Sequence, residues 1–257
     1  MSQNQGIFDV GLAQNPANFQ ALTPLSFLSW AEEVYGASTA VIHGGNQFTY
    51  TQFAARCRRL ASALTGRGIG QGDTVSLMSP NTPPMLEAHY GVPMIGAVLN
   101  SLNYRLDAPT IAFILDHGES KVIITDREFS PVIKEALAIL GRDIIVIDVD
   151  DPLAKGGELI GEKDYEAFLE EGDPTHPISM PEDEWQAICL NYTSGTTGNP
   201  KGVVYHHRGA FLNAMGGVAV SALNNRSVYL WTLPMFHCNG WCYTWSVTAA
   251  GGMHVCL

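Results

Sequence analysis

Charged residues are scarce in this sequence of 257 residues, and basic residues are scarcer still. Charged side chains make up 15% of the chain against 46% hydrophobic residues, and 14 Lys and Arg face 25 Asp and Glu, for a net charge of −11. Non-specific binding to nucleic acid or to anionic membranes needs a basic surface, so this balance argues against both. The apolar content predicts a well-buried protein of one or two domains.

Export signals, paired cysteines and long apolar runs are also lacking. The first residues, "MSQNQGIFDV", show no basic region followed by an apolar one, and no apolar run approaches the roughly 18 residues of a spanning helix. The cysteines are odd in number and scattered, at positions Cys57, Cys189, Cys238, Cys242 and Cys256. These features predict free thiols and a cytoplasmic location.

The pair Cys238 and Cys242, close to His237, raises the question of a metal site. Structural zinc sites usually combine two separated clusters of ligands, and no second cluster accompanies this one. Small thiols packed on a helix are therefore the favoured interpretation.

The order of elements predicts an α/β fold. A helix from Leu22 to Gly36 precedes a hairpin around Gly44-Gly45 and a second helix. Strand-like and helix-like runs then alternate, and Ile144 to Val149 is apolar on both faces, as in strands covered by helices. Such alternation predicts a mainly parallel sheet flanked by helices.

The last third of the chain carries the most unusual text. "WQAICLNY" is interpreted as a strand that runs into a glycine-rich stretch, "VVYHHRGAFLNAMGGVAVSAL" as a helix, and "FHCNGWCYTWSVTAAGGMHVCL" as a loop, a helix and the start of another strand. The predicted organisation is an extension at 1–20, one subdomain at 21–71 and 193–257, and an α/β subdomain at 72–192.

The stretch "YTSGTTGNPKG", residues 192–202, has the composition of a phosphate-binding loop. Glycines free the backbone to turn its amides inward, hydroxyls donate to phosphate oxygens, and Lys201 supplies a cation. Pro200 before the lysine and Gly202 after it exclude a Walker A loop. A glycine-rich surface loop with a solvated lysine remains the simpler alternative.

Two motifs in order, this loop and "LPMFHCNGW" at 233–241, resemble the AMP-forming acyl-CoA synthetase/ligase family of adenylate-forming enzymes. The resemblance extends from about residue 20 onward. It implies the N-terminal part of the large adenylate-forming domain. It also implies ATP-dependent activation of a short- to medium-chain carboxylic acid, through an acyl-adenylate, to the acyl-CoA thioester. ATP, Mg²⁺ and CoA are the implied cofactor and co-substrates, and a homodimer is left open.

The same resemblance implies roles for particular residues. His237 would lie beside the reacting carboxylate as the catalytic residue, Trp241 would form a wall of the acyl pocket, and Thr193 would help to hold Mg²⁺. The residues implied to bind the phosphates are Thr193, Ser194, Gly195, Thr196, Thr197, Gly198 and Lys201. The simpler alternatives are a core histidine for His237 and core packing for Trp241 and Trp245.

Family members are longer than this chain, and their adenine and ribose contacts and C-terminal domain have no counterpart in it. We therefore expect the chain to be an amino-terminal portion that is impaired or inactive alone and exposes apolar surface. The alternatives are a non-catalytic nucleotide-binding relative, a peptide-synthetase or luciferase-like adenylating enzyme, and a kinase-like phosphate binder.

Overall fold

The computed structural model describes residues 6–193 and 199–257 of the chain. Its strands in those ranges are β1 (Thr39–His43), β2 (Asn46–Thr49), β3 (Thr74–Met78), β4 (Val98–Ser101), β5 (Ser120–Asp126), β6 (Ile145–Val149), β7 (Lys163–Asp164), β8 (Ala187–Thr193), β9 (Lys201–His206), β10 (Val228–Leu230) and β11 (Met253–Cys256). Its helices are α1 (Leu25–Tyr35), α2 (Tyr50–Gly66), α3 (Pro83–Gly91), α4 (Ala108–His117), α5 (Ser130–Leu140), α6 (Tyr165–Glu170), α7 (His207–Val220), the short turn α8 (Cys238–Trp241) and α9 (Tyr243–Ala249).

The larger sheet has the strand order β7-β6-β5-β3-β4-β8-β9 among the described residues, and every pair is parallel except β8 with β9. Its strands are buried on both faces. On β5, for example, Val122 and Ile124 belong to the core shared with α2 and α3, while Ile123 faces the core shared with α4 and α5. Residues two apart on a strand point to the same face, so two helical layers enclose this sheet. The predicted fold class is confirmed.

The smaller sheet has the order β10-β11-β1-β2 in the part of the chain that the structure describes. The hairpin predicted around Gly44-Gly45 joins β1 to β2, and α2 begins with a capping box between Thr49 and Gln52. The strand predicted at the end of the sequence is β11, which lies parallel between β1 and β10.

Three strands, β4, the two-residue β7 and β9, differ from the sequence-based expectations. The sequence patterns predicted no strand at Val98–Ser101, yet β4 is completely buried between β3 and β8, where the Asn100 amide donates to Ser76 Oγ at 2.9 Å. The helix predicted to follow the glycine-rich stretch at once is also wrong at its start. Residues Lys201–His206 form β9, and α7 begins only at His207.

The strand β9 changes the setting of the glycine-rich stretch. Val203, Val204 and Tyr205 are β-branched or aromatic residues, which suit a strand paired with the edge of β8. The stretch therefore connects two antiparallel strands of a hairpin, and the predicted arrangement of strand, loop and helix N-terminus does not occur. The phosphate-binding hypothesis must rest on the hydroxyls, the lysine and the glycines.

The division into subdomains at residues 72 and 193 stays a prediction. Residues 6–20 form turns that are exposed to solvent throughout. Among the residues described, none of the helices combines the length and the apolar character needed to cross a bilayer.

Candidate functional site

Two of the predicted phosphate-binding residues flank the glycine-rich stretch in the structure. Thr193 is the last residue of β8 and Lys201 the first of β9, and they pair directly across the antiparallel ladder. Both are exposed. The predicted residues Ser194, Gly195, Thr196, Thr197 and Gly198 lie outside the described residues.

One cavity brings Thr193 and His237 together. Its volume is about 400 Å³, and its described lining combines both motifs with residues that follow β4. The lining residues are Ser101, Leu102, Asn103, Leu106, Ile114, Asn191, Tyr192, Thr193, Val203, Tyr205, Phe236, His237 and Cys238. The walls are thus mostly apolar, with a hydroxyl and an imidazole at the positions that the resemblance implies for the phosphate and carboxylate sides.

The backbone that carries His237 is unusual. The five residues from Cys238 to Cys242 all have positive φ, between 49° and 63°, and only one of them is glycine. The segment predicted as a packed helix therefore begins with a left-handed turn, α8, and the regular helix α9 starts at Tyr243. Left-handed backbone costs roughly 1–2 kcal/mol per residue for residues that carry a Cβ. This turn must be held by its surroundings.

Buried asparagines hold the turn. Asn239 is completely buried, and its amide donates to Asn191 Oδ1 at 3.1 Å. The Asn191 amide donates to Ser101 Oγ at 3.0 Å and to the Phe236 carbonyl at 3.3 Å. The chain that carries His237 is thus tied to the ends of β8 and β4.

A third asparagine, Asn81, anchors the start of the same motif. Its amide donates to the carbonyls of Trp231 and Leu233, at 2.8 and 3.1 Å, and its Oδ1 accepts from the Met235 amide at 2.8 Å. Sequence reasoning missed Asn81, Asn191 and Asn239, because a buried asparagine looks the same in sequence as an exposed one. The Asn-Gly dipeptide at 239–240 was the available signal, since this pair is typical of turns.

Trp241 lies on a neighbouring cavity. Its side chain is 63% exposed and lines a space of about 350 Å³ together with Asn213 of α7 and Cys242. Tyr205 and Cys238 line both this cavity and the one that contains His237. The two spaces therefore share a wall, and burial together with the Cys238 thiol raises the pKa of Tyr205 in that wall.

Trp245 and the two histidines at the start of α7 make structural contacts. Trp245 is completely buried, and its Nε1 donates to the His89 carbonyl at 3.2 Å, so it packs in the core. His206 caps α7 by accepting from the Gly209 amide at 2.8 Å. His207 is buried. Its Nδ1 lies 2.8 Å from Thr23 Oγ1, and burial lowers its pKa to about 4.

The described residues around Thr193 do not supply the usual ligands of a magnesium ion. Mg²⁺ is usually held by one or two carboxylates together with substrate phosphates. The described cavity lining contains the Thr193 hydroxyl but no carboxylate. Within residues 6–193 and 199–257, no group of three or more His, Cys, Asp and Glu is placed to hold a metal ion.

Comparison with known proteins shows the family to which the chain belongs. The model of the AMP-binding enzyme family matches residues 28–257, so the chain belongs to that family. An acetate/butyrate–CoA ligase of Arabidopsis thaliana, named as peroxisomal, is 48% identical over 258 residues, which cover 96% of this chain and 45% of the ligase. A peroxisomal benzoate–CoA ligase of the same plant is 44% identical over a similar range. The chain thus spans about half the length of these relatives, as an amino-terminal portion would.

Solved structures agree on the fold. An anthranilate CoA ligase in complex with anthranoyl-AMP superimposes with a TM-score of 0.82 over 95% of this chain and 46% of its own length, and its 22% identity shows the fold alone. The inhibitor-bound N-terminal domain of FACL13 from Mycobacterium tuberculosis has a TM-score of 0.77 at 27% identity, over 91% of this chain and 57% of its own.

The predicted cytoplasmic location is wrong. Several of the similar plant ligases are named as peroxisomal, including the acetate/butyrate, butyrate and benzoate ligases of Arabidopsis thaliana. The composition arguments could not separate the two compartments, because a protein without a spanning helix and with free thiols suits either.

Proposed function

We propose that this chain forms the phosphate-loop and carboxylate half of an AMP-forming acyl-CoA ligase that acts on short-chain carboxylic acids in the peroxisome. In the proposed reaction a carboxylate oxygen attacks the α-phosphorus of ATP, and the bond from that phosphorus to pyrophosphate breaks. The thiol of CoA then takes the acyl group and releases AMP. The observation that carries the proposal is the cavity lined by both Thr193 and His237.

The phosphate side would be formed by the ends of the β8–β9 hairpin. Thr193 and Lys201 project on the same face of the hairpin, since directly paired residues of antiparallel strands share a face. A hydroxyl donor and an ammonium group on one face suit the oxygens of a leaving pyrophosphate. Ser194 to Gly198 would add the remaining donors.

The carboxylate side would be formed by His237. Its imidazole is exposed to the cavity, and its Nε2 lies 3.8 Å from the Cys238 thiol. From this position a ring N–H can donate to a carboxylate oxygen and offset the repulsion between the carboxylate and the phosphates. Mg²⁺, when bound with ATP, would further neutralise the phosphate charge, with Thr193 as the one described residue suited to it.

The preference for short acids rests on the shared wall of the two cavities. Tyr205 and Cys238 separate the His237 cavity from the space beside Trp241, so an acyl chain on the His237 side meets a barrier. Among similar proteins, those named for acetate, butyrate and 2-methylpropanoate agree with this preference. Trp241 would form a wall only for chains that pass the barrier.

Competition between ATP and pyrophosphate tests the proposal. The purified chain would be titrated with a fluorescent ATP analogue and the complex then challenged with pyrophosphate and, separately, with phosphate. We expect pyrophosphate to displace the analogue. A chain that binds the analogue but does not release it to pyrophosphate would favour a kinase-like phosphate binder, and one that binds neither would overturn the proposal.

Carboxylate-dependent exchange between ATP and pyrophosphate is the second measurement, with acids from acetate to decanoate and with aromatic acids. Because relatives are about twice as long, we expect the chain alone to be silent. Exchange with any acid would confirm the adenylating chemistry and refute the expected impairment. Imaging of a fluorescent fusion against a peroxisomal marker tests the proposed location.

A further inference from the structure

The left-handed turn next to His237 stores strain at one particular place. Residues with a Cβ rarely adopt positive φ, and Cys238, Asn239, Trp241 and Cys242 do so in one continuous segment around Gly240. Strained backbone of this kind persists only where the surroundings determine it, and it is found preferentially at functional sites. The contacts of this turn therefore show which segments of the protein hold it in place.

Asn239 makes the central contact. Asparagine is one of the few residues that tolerates a left-handed backbone, which explains its position, but that tolerance alone does not require a buried side chain. The Asn239 amide is completely enclosed and donates to Asn191 Oδ1 at 3.1 Å. Its backbone carbonyl accepts from the Cys242 amide at 3.0 Å and from Thr244 Oγ1 at 3.2 Å, which closes the turn onto α9.

Asn191 makes the matching contact from the other motif. It lies two residues before Thr193 on β8, so the two side chains point to the same face of the sheet. Besides accepting from Asn239, its amide donates to the carbonyl of Phe236, the residue directly before His237. Asn191 thus holds the chain on both sides of His237, and it does so from the strand that leads into the glycine-rich stretch.

Ser101 completes the set. Its Oγ donates to the Phe236 carbonyl at 3.2 Å and accepts from the Asn191 amide at 3.0 Å. Ser101 and Asn191 are almost fully buried. In a buried environment a hydrogen bond is directional, and a polar group left without one is costly. Apolar packing would bury the same volume, but it would not determine the register of the turn against β8 to the same degree.

We infer that Asn191 and Asn239 are a positioning pair, which holds the turn that carries His237 at a constant distance from the strand end that carries Thr193. The inference rests on the proposed function, in which His237 and Thr193 serve the carboxylate and the phosphates of one reaction. Asn191 itself lines the cavity, but its amide and its Oδ1 are engaged by Ser101, Phe236 and Asn239, and Asn239 is not among the lining residues. The role of the two asparagines is to keep the two sides of the site at a constant relative position. Binding of pyrophosphate beside Thr193 then changes the environment of the His237 imidazole.

The experiment follows the His237 imidazole by NMR in protein labelled with ¹³C at histidine, with His237→Gln used to assign the signal. Asn191→Ala and Asn239→Gly each remove one member of the pair, and glycine at 239 keeps the left-handed backbone accessible. The matched control is Asn100→Ala. Asn100 is also buried, and its amide donates to Ser76 Oγ on β3 rather than to the turn.

We expect the His237 signal to shift or split by more than its line width in both pair variants and to stay in place in Asn100→Ala. Urea unfolding of all three variants shows whether their losses of stability are similar. Pyrophosphate should move the His237 signal in the wild type and leave it unmoved in Asn191→Ala.

Two results would overturn the inference. One is a His237 signal that is unchanged in both pair variants. The other is an equal change in Asn100→Ala, which would mean that any buried hydrogen bond has this effect. If pyrophosphate binds none of the proteins, the proposed function fails, while the comparison of the unliganded signals still decides whether the pair positions His237.

Discussion

Thr193 and Lys201 face each other as the last pair of the β8–β9 ladder, with the glycine-rich stretch between them. This relationship places a hydroxyl and a cation side by side at the end of a hairpin. It is also independent of the helix N-terminus that the sequence suggested, because β9 separates the loop from α7.

Lys201 should therefore supply a positively charged hydrogen-bond donor to the phosphate side. We expect Lys201→Ala to weaken pyrophosphate binding by about tenfold or more, as loss of one charge-assisted hydrogen bond of about 1.5–3 kcal/mol implies. Lys201→Arg should retain most of the affinity because it keeps the cation. Isothermal titration at two salt concentrations measures both, and equal affinity of the alanine variant and the wild type would contradict the assignment.

Tyr205 should control how far an acid can extend. Truncation in Tyr205→Ala removes most of the shared wall and joins the cavities of about 400 and 350 Å³. We expect octanoate, but not butyrate, to alter Trp241 fluorescence in this variant. Tyr205→Phe keeps the ring and should behave as the wild type does.

Trp241→Phe identifies which part of the emission belongs to Trp241, since other tryptophans contribute to the signal. An octanoate response of the same size in the wild type would show that Tyr205 is not a barrier. No response in any variant would place the acyl chain elsewhere.

Gly240, the one glycine of the turn, should tolerate no larger side chain. It has a φ of 58°, and a Cβ at this position would lie 2.4 Å from the ring of buried Trp231. We expect Gly240→Ala to lower the free energy of unfolding by about 2–4 kcal/mol, from left-handed strain and overpacking together. Urea unfolding measures the change.

Gly216 provides the control for this measurement. It lies inside α7, and a Cβ added at this position would have no atom within 4 Å, so Gly216→Ala should stabilise the protein by about 0.5–1 kcal/mol. Similar effects of the two substitutions would refute the steric argument.

Asp126 should make stability depend on pH. The carboxyl is completely buried, its Oδ1 accepts from the Glu128 amide, and burial, reinforced by nearby Asp151, raises its pKa to about 6. An unfolded aspartate titrates near pH 3.9, so the folded protein binds the proton more tightly. This group's stabilising contribution is complete below about pH 4 and is lost as the pH rises through 6.

The stabilisation lost at Asp126 corresponds to about 2–3 kcal/mol, because its pKa differs by about two units between the folded and unfolded states. Asp126→Asn cannot ionise, so its stability relative to the wild type should rise between pH 4 and pH 7. Thermal unfolding across that range measures the difference, and parallel curves for the two proteins would contradict the prediction. The comparison at pH 4, where both side chains are neutral, shows any effect of the substitution itself.

Much of the fold could be predicted from local signals. The hairpin at Gly44-Gly45 and the helix α2 that follows it were predicted because turn chemistry and helical periodicity are properties of neighbouring residues. The strands β4 and β9 escaped prediction. Both strands pair with β8. For β4 this partner is distant in sequence, and for β9 it lies on the other side of the glycine-rich stretch.

The site divides in the same way. The motifs proposed Thr193, Lys201 and His237 as candidates. In the structure Thr193 and His237 line one cavity, and Lys201 pairs with Thr193. The residues that hold them, Asn81 and Asn191 above all, have no local signature. Their role arises from burial and from partners on other elements.

By itself the sequence determined the fold class, the family and the chemistry of the candidate groups, because periodicity and short motifs express properties of neighbouring residues. Only the tertiary structure decided that the glycine-rich stretch closes a hairpin, that His237 precedes a left-handed turn, and that Trp241 lies on a second cavity. Those outcomes depend on hydrogen bonds and packing between segments far apart in the chain, whose energies no single segment contains.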